Sequence, residues 1–176
     1  SHFMHSIDVS NLVDGKSIYY LVNQTDLVIN PATHPQVGYL GLVNCTNVRV
    51  EGLSLTNNGQ GLLLANTNNS KIIDNNVTNN ADAIWLDWSS NNTISGNNIT
   101  NNGYGLDLWD SSNHNIISGN KITNNDYYGI RLSHSSNNTI TENNITDTYD
   151  FGIQLSSSSD NKFYHNNFVD NTQQVR

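Results

Sequence analysis

Cysteine is almost missing from this chain. Cys45 is the sole one among 176 residues, which excludes an internal disulfide framework and a multi-thiolate zinc site and leaves a packed thiol as the expected role. Methionine occurs once, at Met4, and proline twice, at Pro31 and Pro35. Positive charge is also scarce, with 7 Lys and Arg against 15 Asp and Glu. The resulting net charge of −8 repels phosphate backbones and anionic lipid, so nucleic acid is not an expected partner. No run approaches the roughly 18 apolar residues of a membrane span, so membrane insertion is not expected either. The opening Ser1-His2-Phe3-Met4-His5 lacks the apolar stretch of a signal peptide. Residues 1–6 read as a cloning remnant.

Hydrophobic residues make up only 35% of the chain. Scattered at random they would not offset chain entropy, but they recur at a fixed period. A small residue followed by apolar-x-Leu begins at Gly61, Ala83, Gly105, Gly129 and Gly152. A second mark is a pair of apolar residues five apart: Val50/Leu55, Ile72/Val77, Ile94/Ile99, Ile117/Ile122, Ile140/Ile145 and Phe163/Phe168. Between these marks apolar and polar residues alternate, which is strand periodicity with one buried face. Ser-Ser-Asn-Asn and Thr-Asn-Asn clusters supply the turns. A unit this short cannot bury its own apolar side, so units must stack.

The expected fold is therefore all-β, a right-handed parallel β-helix (solenoid) of about six coils. Residues 7–37 depart from the repeat and are expected to form an irregular N-terminal cap, 38–171 the repeats, and 172–176 a C-terminal tail truncated from a longer chain. An uncapped last coil would favour end-to-end self-association. Stacking also places Asn75, Asn97, Asn120, Asn143 and Asn166 in one column, an Asn ladder bonding along the stack.

The units reading Ser-Ser-Asn-Asn-Thr-Ile-x-x-Asn-Asn-Ile-Thr, with Asp14-Gly15-Lys16-Ser17-Ile18-Tyr19-Tyr20-Leu21-Val22-Asn23-Gln24 ahead of them, resemble NosD-type β-helix repeat proteins. These fall in the wider group of carbohydrate-binding and sugar-hydrolase β-helix domains, common in methanogenic archaeal surface proteins. The resemblance covers roughly residues 11 to 171 and implies the fold. It says little about activity, because the matching positions are core and turn residues. Family members are often labelled periplasmic copper-binding.

On a solenoid the interior is packing, and chemistry must come from outward positions. With Leu106 and Leu108 inside, Asp107 faces out, and so do Trp85 and Arg131 in its column. Asp87 and Trp109 form the next column, Asp82, Tyr104 and Tyr128 a third, and Trp88, Asp110 and His134 follow the strand. All three tryptophans thus share one face with carboxylates and an arginine. Ring faces stack on the C–H faces of sugars while Asp, Asn and Arg bond hydroxyls, so the expected partner is a polysaccharide or glycan. The bland alternative is aromatic stacking that merely stiffens a sheet.

Asp87 and Asp107 fall on adjacent coils offset by two residues, roughly 8 Å apart. That lies within the roughly 6.5–9.5 Å of carboxyl pairs in inverting glycosidases. Asp87, Asp107 and Asp110 are therefore the candidate catalytic residues. A lyase or epimerase would instead use Arg131 with Tyr128 or His134. Three readings stay open: a non-catalytic extracellular or cell-surface module binding glycan, a polysaccharide-degrading enzyme on the same face, and a structural spacer of the envelope. No cofactor is expected. Calcium has hard donors in Asp82, Asp87, Asp107 and Asp110 but no loop motif. Copper is not expected, because the histidines show no close His-x-His or His-Met spacing, although His114 and His134 occupy turns of consecutive coils.

Overall fold

The computed structural model describes residues 3–176, so Ser1 and His2 of the segment read as a remnant lie outside it. Alternating apolar and polar residues form strands of two to seven residues, and these stack into a right-handed parallel β-helix of about seven turns. Each complete coil supplies one strand to each of three walls, while the first coil gives none to the third wall and the last gives only Gln173–Val175 to the first. The first wall carries Lys16–Val22, Val37–Val43, Gln60–Ala65, Asp82–Asp87, Tyr104–Trp109, Tyr128–Ser133, Phe151–Ser156 and Gln173–Val175 in parallel order. The second runs from Val28–Ile29 to Lys162–Tyr164, and the third from Ser54–Thr56 to Asn167–Val169.

Both repeat marks are core. Leu62, Leu64, Ile84, Leu86, Leu106, Leu108, Ile130 and Leu132 are fully buried, as are Ile72, Val77, Ile94, Ile99, Ile117 and Ile122 from the other walls. The small column is closed by the neighbouring coil. A Cβ at Gly129 would lie 2.6 Å from the Gly152 carbonyl oxygen and 2.8 Å from Ile145 Cγ2.

The segment expected to be an irregular cap is instead largely a coil of the stack. Lys16–Val22 pairs in parallel with Val37–Val43, and Val28–Ile29 pairs with Arg49–Glu51. Its sequence departs from the consensus because it ends the stack: Lys16–Val22 is half-exposed along its length and has one parallel neighbour. Only Leu12–Val13 behaves as a cap. It pairs antiparallel with Lys16–Val22 through the two-residue turn Asp14-Gly15, at φ 50° and 74°, and covers the sheet edge.

Asn fills two kinds of turn position. At Asn66, Asn79, Asn91, Asn101 and Asn124 the backbone is left-handed, which Asn tolerates best after glycine. Elsewhere the Asn side chain is buried and bonded along the axis. Asn97 Nδ2 donates to Asn120 Oδ1 at 3.0 Å and to the Ile72 carbonyl at 2.9 Å, while Asn97 Oδ1 accepts from the Asn75 backbone N–H at 2.9 Å. The expected stack of Asn75, Asn97, Asn120, Asn143 and Asn166 is thus present. A second one runs through Asn80, Asn102 and Asn125.

Candidate functional site

Strand alternation sets the outer face of the first wall. Ile84 and Leu86 point in, so Trp85 and Asp87 point out, while Asp82 reaches the same outer face because alternation breaks at Ala83, which is buried beside Ile84, and parallel register carries these choices upward. Asp82 lies beside Tyr104, Trp85 beside Asp107, and Asp87 beside Trp109. In the next coil Tyr104 lies beside Tyr128 and Asp107 beside Arg131. These columns hold as expected. Asp82, Trp85, Tyr104, Asp107, Trp109 and Arg131 line one concave site of about 460 Å³.

Facing outward does not make every group accessible. Asp107 is 3% exposed and Asp87 5%. Arg131 donates from Nε to Asp107 Oδ1 at 2.9 Å, and its terminal NH2 group donates to Asp107 Oδ2. The guanidinium also sits over the rings of Trp109, Tyr104 and Tyr128, at 4.8, 4.9 and 5.4 Å. Burial works against the Arg131 charge, but Asp107 outweighs it and keeps the group protonated. The pairing of Asp87 and Asp107 as acid and base finds no support in this geometry, because one member is held by a counter-ion and the other is covered. Nor does Arg131 stand free to meet a substrate carboxylate, as the lyase reading required.

A different carboxyl has the chemistry of a proton donor. Asp82 is raised from 3.8 to about 6, first by burial and then by the charge of Asp107, with Arg131 pulling the other way. Tyr104 is also raised, chiefly by burial.

Three residues border the site in a turn column where other coils place Asn44 and Asn66. Trp88, Asp110 and His134 all have left-handed backbone, at φ 51°, 37° and 50°, and Trp88 is 56% exposed. His134 Nδ1 lies 3.9 Å from Asp110 Oδ1. His114 belongs to a different turn column, beside Asn91 and Asn137, so it does not share a column with His134.

The sequence reading missed Tyr127, whose ring stacks on Tyr104 at 4.9 Å. The signal was the longest spacing of the repeat. Asn102 and Asn125 are 23 apart in the stack, but Tyr104 and Tyr128 are 24 apart. One residue is therefore inserted just ahead of Tyr128, where Tyr127 sits.

Toward the N-terminus the same face becomes apolar. Val43, Leu63 and Ala65 are buried there, packed with Phe3, Tyr20, Val22, Tyr39 and Trp85. Phe3 meets Trp85 edge-on at 6.2 Å, and Tyr20 Oη donates to the Phe3 carbonyl at 2.7 Å. Trp85 thus divides the polar concavity from an apolar patch, against which Phe3 packs.

The family model described as "Periplasmic copper-binding protein (NosD)" matches residues 5–176. Among curated proteins none matches. Of solved structures, a Dettilon tailspike protein is similar at a TM-score of 0.67 and 20% identity, over 74% of this chain and 32% of that one. A point mutant of the periplasmic alginate epimerase AlgG is similar at 0.62 and 21%, over 76% and 37%. The A-module of the Azotobacter vinelandii mannuronan C-5 epimerase AlgE4 is similar at 0.55 and 14%, over 88% and 56%. The chain therefore spans a third to just over half of these structures, and at such identities the likeness is one of fold.

The family description implies copper, and the residues present do not fit it. Among the described residues no three of His, Cys, Asp and Glu gather closely enough to hold a metal ion. The Cys45 thiol is 2% exposed, lies 3.4 Å from the Leu21 and Val43 carbonyl oxygens, and is pushed up by burial, away from the thiolate that binds copper. His34 packs on Tyr19 and His165 on Tyr164. The four aspartates named for calcium do not converge either, since Asp107 is bound to Arg131.

Proposed function

The chain belongs to the NosD family, and from that premise we propose that it is a carbohydrate-binding β-helix module of the cell envelope or its exterior, taking glycan on the outer face of its first wall. The observation that carries this reading is the concavity where the rings of Trp85, Trp109 and Tyr104 stand beside Asp82, Asp107 and Arg131. Rings offer faces for sugar C–H groups, and carboxylates accept from hydroxyls. The ion pair of Arg131 with Asp107 holds this surface rigid before any ligand arrives, which lowers the ordering cost of binding. Two similar structures bear the names of epimerases acting on polysaccharide, and "periplasmic" appears both in one of those names and in the family description.

Catalysis is the second reading, and one observation favours it. A carboxyl at about 6 is poised to give or take a proton near neutrality, and Asp82 lines the concavity. Titration against a panel of oligosaccharides tests the main reading: Trp109→Ala should weaken binding at least about tenfold while the chain stays folded. A folded protein that binds nothing on the panel ends that reading. Product analysis separates the two, because turnover lost in Asp82→Asn establishes an enzyme.

A further inference from the structure

We propose that the glycan held in this concavity is uncharged, bearing neither carboxylate nor sulfate. The inference rests on the carbohydrate-binding reading and names its ligand class. Arg131 is the only cation among the lining residues. Two of its donor groups are committed to Asp107, and aromatic rings lie against it at 4.8 to 5.4 Å. The charge of this guanidinium is already met by Asp107, so an acidic sugar bonding its remaining N–H groups meets no free positive charge, and one that drew it away would strand the Asp107 carboxylate at 3% exposure without its counter-charge.

Among the described residues no second lysine or arginine lines the site, and Arg49 is paired with Glu51 on the second wall. Lys71, Lys121 and Lys162 lie on strands of the other two walls, and Arg176 packs over Phe151. Lys16 begins the first strand of the first wall, three strands away from Asp82–Asp87. Asp82 adds a second carboxylate to the lining, so with Arg131 and Asp107 balanced its ionisation leaves the site negative. The chain as a whole carries −8. An incoming anion thus meets like charge near by and at long range. Neutral sugar meets the opposite situation. Its hydroxyl and amide N–H groups are donors, and the Asp82 carboxylate is an acceptor that Arg131 does not occupy.

The test is equilibrium binding of the wild-type chain at pH 7 and low salt to neutral hexose and N-acetylhexosamine oligomers and to oligouronates of matched length. Neutral oligomers should bind at least about tenfold more tightly than oligouronates. In Asp82→Asn the oligouronates should gain roughly tenfold, because one repelling charge is gone. Oligouronates binding as tightly as neutral oligomers to the wild type would overturn the inference and leave the carbohydrate-binding reading standing. A blank on both sets would remove that reading, and this one with it. The wild-type comparison needs no variant to fold.

Discussion

Arg131 and Asp107 meet across adjacent coils in a two-pronged ion pair, with Nε 2.9 Å from Oδ1. The side chains are 20% and 4% exposed. Removing only the anion leaves a guanidinium held among three rings with its charge uncompensated. We expect Asp107→Asn to cost about 3 kcal/mol, at the low end for a broken buried pair because Arg131 keeps some water. Adding Arg131→Gln should recover part of that loss. Chemical denaturation of both single variants and the double variant checks it, and strict additivity would show that the two groups do not depend on one another.

Asp82 makes a separate prediction about pH. Its carboxyl is raised from 3.8 to about 6, so the folded chain holds that proton more tightly than the unfolded chain does. Its contribution to stability is complete below about pH 4 and is lost as pH rises through about 6. Asp107, Tyr104 and Arg131 are the charged or titratable groups that act on it across the wall. Compared with the wild type, Asp82→Asn should therefore gain melting temperature steadily between pH 4 and 7. A difference that stays flat over that interval would show that Asp82 ionises as freely as it does in water.

The period of the chain made its architecture legible, because equivalent side chains lie one coil apart and the columns of Trp85, Asp107 and Arg131 follow from counting. What covers an outward residue was not legible. Nothing local to Leu63 shows that it is 3% exposed on the outside of the β-helix, since that depends on Phe3 and Tyr20, which are far away in sequence. For the same reason Asp107 read as an available acid. The Asn80, Asn102 and Asn125 stack was hidden by its neighbours. In Asn101-Asn102 the first residue turns the backbone through φ 57° in solvent and the second is buried, and composition does not distinguish the two.

Asn97 tests how far the chain depends on such stacks. Its amide donates to the Ile72 and Ser95 carbonyls and to Asn120, and its oxygen accepts from the backbone and side chain of Asn75. Asn97→Ala leaves several of these partners buried and unsatisfied, each costing about 1–3 kcal/mol. The expected loss is about 3 kcal/mol or more. The adjacent Asn98 is partly exposed and bonds only Asn76 and Thr100 through its side chain. Asn98→Ala should cost under about 0.5 kcal/mol. Equal losses in urea denaturation would mean that the buried stack contributes nothing beyond an exposed one.

Trp88 stands where the chain elsewhere uses Asn44 and Asn66, with left-handed backbone at φ 51° and more than half its surface in solvent. An L-residue other than Asn or Asp bears a steric cost of about 1 kcal/mol there, and a bulky indole gains little burial to offset it. Trp88→Asn should therefore stabilise the chain by about 1 kcal/mol, the reverse of what losing an aromatic residue from a packed position does. If Trp88 serves the rim of a glycan site, the same change weakens oligosaccharide binding as it raises the melting temperature. A residue kept only for packing would lose stability on replacement, so the two measurements together tell a strained functional position from an ordinary turn.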